Sequence, residues 1–319
     1  MEVREVRKTY LQATRLTPPT PWQAAWLGLA GLFLSPFYCL LARTRGVPGM
    51  QLRSKCIRLG LRLLLRRSGP IDFKTIYLLL FFPLDSTRYF ELDFAWKALA
   101  NLEAGSYLDI SSPRLLFMLL LSERKRLTAD LLNPDRADLA ETERLLRAAG
   151  LLPLCRLHGD VISNVPFAPA SFDVITSISV LEHIPEDRHA VAKMWQLLRP
   201  GGRLVLTVPC AAETSEQYID RDEFGVLGAS ADGRVFWQRF YDAARLRDCV
   251  FNITGEPVRT RIFGERKPGL FLKNATRKRS DRFYPFWREP HMVAQDYTFF
   301  DSLQDLPGEG VMAMEFIKS

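Results

Sequence analysis

Cysteine and histidine are scarce in this 319-residue chain, and neither is arranged for disulfide or metal chemistry. The five cysteines, at 39, 56, 155, 210 and 249, are odd in number, scattered, and never in a C-x-x-C spacing. That excludes a disulfide framework and a cysteine zinc site, and fits a reducing compartment. The four histidines (158, 183, 189, 291) make no H-E-x-x-H or comparable pair, so no metal ligand set is expected. Internal repeats, low-complexity tracts and a G-x-G-x-x-G fingerprint are missing too. What remains, 47% hydrophobic, 25% charged and 11% aromatic, is globular composition; it predicts one large domain with an appendage, or two domains.

Acidic residues are few at the front. Residues 1–90 hold 14 Lys and Arg against 4 Asp and Glu, so the net charge of +7 belongs to that end. Residues 16–42 carry no charge at all, and 43–74 then carry nine cations opposed only by Asp72. The apolar stretch 24–42 is near the ~20 residues a transmembrane helix needs. Pro36 and Ser35 interrupt it, three prolines precede it, and no cleavage site marks it as a signal segment. Next, residues 56–70 mix leucine and arginine as a surface-lying helix with snorkelling side chains would. Packing on the chain's own domain or on a partner, contact of residues 22–74 with a membrane surface, and a true span all remain open. Nucleic acid is not expected, because no reader motif accompanies the cations.

From residue 106 onward short apolar strands alternate with amphipathic helices, the pattern of an α/β fold. Strands are predicted at 106–110, 126–130, 153–160, 172–179 and 203–209, and helices at 113–123, 137–150 and 186–198. Strands joined by helices run parallel, and parallel sheets bind ligands at their carboxyl ends. Asp109, Asp130 and Asp160 are placed at those ends. Asp130 lies 21 residues after Asp109, a spacing suited to accepting ribose hydroxyls, and Asp160 suits an adenine amino group.

The stretch 160–209, with an acid at 160, PFAPASFDV, SVLEHI and LLRPGGRLVLTVP, closely resembles class I S-adenosylmethionine-dependent methyltransferases of the type 11 group. The resemblance covers 108–209 well and the remainder loosely. It implies a doubly wound, mostly parallel seven-stranded sheet with one antiparallel strand, the Rossmann-like methyltransferase fold, over 101–319, with insertions near 211–238 and 266–295. Residues 1–100 lie outside it as a helical, basic extension. It implies S-adenosyl-L-methionine as cofactor, held by Asp109, Ser111, Ser112, Asp130, Asp160, Val161 and Ser179. In the loop after the fourth strand His183 is the expected general base, with Glu182 to orient it. The chain departs from the family at Ser111-Ser112-Pro113, where a glycine-rich turn is usual; Ser112 suits a helix N-cap and Pro113 the first helical position.

The acceptor is expected to be a small molecule, a saccharide or a lipid-linked intermediate, and the location the cytoplasm, with contact to a membrane surface left open. Within 266–295, Lys273, Arg277, Lys278, Arg279 and Arg282 mix with Phe283, Tyr284, Phe286 and Trp287, a set suited to an anionic sugar or a lipid headgroup. Arg239 and Tyr241 are weaker candidates for substrate contact. Two other readings compete: a catalytically silent module of the same fold that binds a membrane or a partner, and a nicotinamide oxidoreductase, which the missing fingerprint disfavours.

Overall fold

The alternation read from the sequence becomes one mixed sheet in the computed structural model, which describes residues 20–66, 73–102, 104–124, 126–219, 233–281 and 284–319. Among these, helices come first: α1 (Pro21–Thr44), α2 (Met50–Arg66), α3 (Phe73–Phe81) and α4 (Arg88–Ala98). There follow β1 (Ala104–Ile110), α5 (Arg114–Glu123), β2 (Arg126–Leu132), α6 (Arg136–Ala149), β3 (Cys155–His158), β4 (Phe172–Ile178), α7 (Asp187–Leu197) and β5 (Leu198–Cys210). A hairpin of β6 (Ser215–Ile219) and β7 (Val235–Phe240) leads to a helical run over Ala243–Leu246, Arg247–Phe251 and Asn252–Thr254. The chain closes with β8 (Arg259–Glu265), α8 (Leu270–Ser280), α9 (Glu289–Asp296), β9 (Tyr297–Phe300) and β10 (Gly310–Ile317).

The strand order is β3-β2-β1-β4-β5-β10-β8-β9. β1 to β5 are parallel, β10 inserts antiparallel between β5 and β8, and β9 pairs antiparallel with β8 at the edge. Seven strands answer to the doubly wound sheet expected from the sequence. β9 adds an eighth, so two strands rather than one run against the parallel set. Alternation along the strands splits the core between the two faces: Tyr107 and Leu131 join one apolar cluster, Leu108, Ile110 and Leu132 the other.

Local signals place the helices. Asp135 caps α6 by accepting from the amides of Ala137 and Asp138, and Gly150 ends it at φ 70°, a left-handed position that glycine adopts without strain. α5 departs from expectation: it starts at Arg114 with Pro113 as N-cap and no side-chain cap bond. Ser112 is otherwise engaged, its hydroxyl accepting from the Ile178 amide at 3.0 Å. The division drawn near residue 100 separates residues that share one core. Tyr89, Phe90, Leu92, Phe94 and Ala95 of α4 are buried in the same cluster as Leu127, Val205 and Phe263, and Arg203 donates to the Ala98 carbonyl.

Candidate functional site

At the carboxyl ends of β1, β2 and β4 the sheet opens into a cleft of about 570 Å³, within the range of small-molecule sites. Its walls come from Ser111 to Leu115 after β1, from Leu132 to Asp135 with Asp138 after β2, and from Asp160 to Ser163 after β3. Ser179, Val180, His183, Ile184 and His189 line it beyond β4, and Arg88 reaches it from α4.

The first corner is tight although it lacks glycine. Ser111 adopts φ 49°, its amide donates to the Leu132 carbonyl at 2.8 Å, and its hydroxyl donates to the same oxygen at 2.9 Å. These bonds offset part of the left-handed strain a non-glycine residue carries. Asp109 lies beneath the corner, fully buried. It accepts from the Ser112 amide at 3.0 Å and from the hydroxyls of Tyr107 and Thr176 at 2.8 and 2.6 Å. Burial raises its pKa against the pull of those donors. Asp109 therefore shapes the turn from below and does not line the cleft. By helix geometry, the amides of Arg114 and Leu115 that open α5 have no intrahelical acceptor, and both residues line the cleft.

Asp130 stands elsewhere than its spacing suggested. β2 continues to Leu132, so Asp130 lies two residues inside the strand, is 1% exposed, and is absent from the cleft wall. Its oxygens take His158 Nε2 at 2.6 Å and Arg156 at 2.8 Å, pinning β2 to β3. The polar groups at that end of the cleft are Asn133, Asp135 and Asp138, the last bridged to Arg114. Asp160 and Val161 do line the cleft, with the Asp160 carboxylate accepting from the Val161 amide at 2.8 Å.

The loop after β4 carries the reactive-looking groups. Ser179 turns at φ 50°; its amide donates to the Thr207 hydroxyl at 3.0 Å and its own hydroxyl donates to Glu91. Glu91 of α4, fully buried, also accepts from Thr207 at 2.7 Å and pairs with Arg88 at 3.1 Å. Thus α4 inserts a carboxylate and a guanidinium that the sequence reading missed. The sequence signal was a pair of acids, Glu91 and Asp93, among the apolar residues of that helix. Glu182 is buried behind the loop, and burial pushes its carboxyl up to about 8, against the lowering influence of Arg88. His183 lies on the wall with Nε2 3.9 Å from Glu182, and its Nδ1 is 2.6 Å from the Trp237 carbonyl. A carbonyl only accepts, so Nδ1 carries the proton and Nε2 is the acceptor nitrogen of the ring.

Arg239 and Tyr241 act as structural clamps, not substrate contacts. Arg239 is 4% exposed and pairs with Asp187 at 2.6 Å while donating to the carbonyls of Ile184 and Pro185. Tyr241 is fully buried and donates to Asp187 at 3.1 Å. Burial works against ionisation of Asp187, but Arg239 and Arg245 outweigh it and hold the carboxyl below its usual range. The basic, aromatic segment is folded inward in part, with Lys273 and Arg277 left exposed. Lys278 is bound to Asp85 and, at 2.6 Å, to Glu289; Tyr284 and Trp287 are buried. Arg282 and Phe283 lie outside the described residues, as does 220–232 within the first insertion. Among the described residues no cluster of His, Cys, Asp and Glu is arranged to hold a metal.

A sheet of this order, with a ligand cleft at the ends of β1, β2 and β4, defines the class I methyltransferase fold. The family described as "Methyltransferase domain" matches residues 115–206. The ubiquinone biosynthesis O-methyltransferase of Nitrosococcus oceani is 36% identical over 75 residues, 24% of this chain and 29% of that protein. The 27-O-demethylrifamycin SV methyltransferase of Amycolatopsis mediterranei is 43% identical over 43 residues, 14% of this chain and 16% of that protein. The chain thus spans less than a third of the length of these two relatives. Among solved structures, coclaurine N-methyltransferase superposes with a TM-score of 0.52 over 93% of this chain and 99% of its own, at 14% identity.

Proposed function

We propose that this protein transfers a methyl group from S-adenosylmethionine to a small-molecule acceptor, a saccharide or lipid-linked intermediate among the candidates, with His183 as general base. The observation that carries the reading is the position of His183: on the wall of the strand-end cleft, with its tautomer set by the Trp237 carbonyl so that Nε2 can take a proton from an acceptor hydroxyl. Burial raises the pKa of the Glu182 carboxyl, and at 3.9 Å from Nε2 it stands beyond hydrogen-bond distance, so the Trp237 carbonyl orients the ring. The cleft suits a nucleoside with a charged tail. Apolar side chains of Leu132, Val161 and Ile162 face it, the helix-opening amides of Arg114 and Leu115 suit a carboxylate, and Asn133, Asp135 and Asp160 suit hydroxyl and amino groups. When bound, the cofactor supplies a methyl already activated by a sulfonium. What the protein adds is alignment, exclusion of water and a base. The relatives, named for ubiquinone and rifamycin, support small-molecule chemistry. The bare apolar helices at the front support work at a membrane surface.

Calorimetry with S-adenosylhomocysteine tests the cofactor. Transfer of labelled methyl to an extract of small molecules and lipids tests the reaction, and His183→Asn is expected to keep the binding and lose roughly 10²- to 10⁴-fold in rate. Folded protein that binds neither the donor nor its product refutes the reading. It favours instead a silent module of the same fold, for which the glycine-free corner and the withdrawn Asp130 already speak.

A further inference from the structure

α1 touches the body along one stripe, Leu27, Gly31, Ser35 and Ala42, all buried. Gly31 fits against the Phe81 ring, where a Cβ would come within 3.2 Å. The opposite side of the helix is bare: Trp22, Trp26, Leu29, Leu32, Phe33, Phe37 and Leu40 are between 55% and 83% exposed. On α2, Leu61, Leu64 and Leu65 are exposed too, and so are Arg58 and Arg62 of the same helix and Arg43 and Arg45 at the end of α1. Large exposed apolar side chains elsewhere in the described residues are Val258, Leu272, Phe299 and Ile317, scattered over the fold. An apolar face this extensive is rarely left to water, and the cations beside it fit an anionic lipid surface.

With 24 residues, α1 is long and apolar enough to cross a bilayer. Its packed stripe decides otherwise. Ser35 accepts from Arg53, a buried guanidinium that also donates to the Tyr89 hydroxyl at 3.0 Å and the Phe81 carbonyl at 2.9 Å. Tyr38 lies 5.7 Å from the His291 ring and under the Arg288 guanidinium. A crossing α1 would either break these contacts or carry Arg53, Arg288 and Glu289 into hydrocarbon, where each charge is costly. We propose that α1 and α2 form a membrane-docking face that lies in the plane of an anionic bilayer surface, the apolar side chains entering the acyl boundary and the four arginines meeting headgroups. This deepens the membrane-surface reading given above and rests on it, but not on methyl transfer.

The full chain is tested by flotation with vesicles of phosphatidylcholine, with and without phosphatidylglycerol. Depth is read in a Trp22→Phe/Trp26→Phe/Phe33→Trp variant with lipids brominated high or low on the acyl chain. Expected are flotation that needs phosphatidylglycerol, a roughly tenfold or greater loss of partitioning in Arg58→Gln/Arg62→Gln at unchanged melting temperature, and stronger quenching of position 33 by the shallow bromines. Strongest quenching by the deepest bromines shows that α1 spans, which overturns the in-plane placement and leaves the membrane reading standing. Failure to float at low salt overturns both; dimers in sedimentation would then show that a second copy covers the face.

Discussion

A carboxyl group that burial keeps protonated near pH 7 makes the fold pay for every proton it loses, and Glu182 is placed to show this. Its folded pKa, about 8, lies above that of the unfolded chain. The folded state therefore binds more protons between the two values, and stability falls as pH rises through that window. Glu182→Gln removes the term. Chemical denaturation from pH 5 to pH 9 is expected to show a shallower loss for the variant, with the gap between variant and parent growing toward pH 9; parallel curves would contradict the burial argument. Asp130 gives a second residue-scale prediction, because its partners Arg156 and His158 are partly exposed and can return to water. Asp130→Ala is expected to cost about 1–2 kcal/mol of stability while leaving S-adenosylhomocysteine affinity unchanged by calorimetry. A large loss of affinity would restore Asp130 to the site.

Among the elements, the β6–β7 hairpin braces the His183 loop. It brings the Trp237 carbonyl to His183, and through Arg239 it clamps the segment between His183 and α7. Removing one member of a buried pair is costly because the other charge stays behind. Arg239→Gln is expected to lose about 3 kcal/mol in chemical denaturation at pH 7, since Arg245 still holds Asp187 at 2.8 Å. The Asp187 pKa is lowered by the fold, so the pair contributes above the ordinary carboxyl range and less as pH falls through the folded value. The difference between parent and variant should accordingly narrow in acid. Labelled methyl transfer should fall further than cofactor binding, because the clamp holds the His183 loop and not the Ser111 corner. Residues 211–238 read in sequence as an insertion; the contact of Trp237 with His183 is made by a backbone oxygen, which leaves no mark in residue identity.

For the whole molecule, the first hundred residues are the decisive case. They read as a helical, basic extension outside the family resemblance, yet α4 supplies Tyr89, Phe90 and Leu92 to the core and Glu91 to the β4 exit. A chain beginning at Asp93 is expected to lose its cooperative melting transition in calorimetry. A stable, sharply melting product would show that the sheet does not need α4.

The order of strands and helices from β1 to β5, the strand-end position of the cleft, and the candidacy of Ser111, Asp160 and His183 were determined by the sequence alone. Hydrophobic periodicity and turn chemistry act over a few residues and set the elements; the resemblance of 160–209 to a known family supplied Ser111 and His183. Tertiary structure decided the rest. Whether Asp130 meets the ligand or Arg156 depends on where β2 ends against β3, and whether His183 can act as a base depends on a carbonyl 54 residues away. The face α1 shows to its surroundings depends on which stripe packs against Phe81 and Arg53. Each is a long-range contact, selected by packing and by satisfying buried polar groups, and no local pattern encodes it.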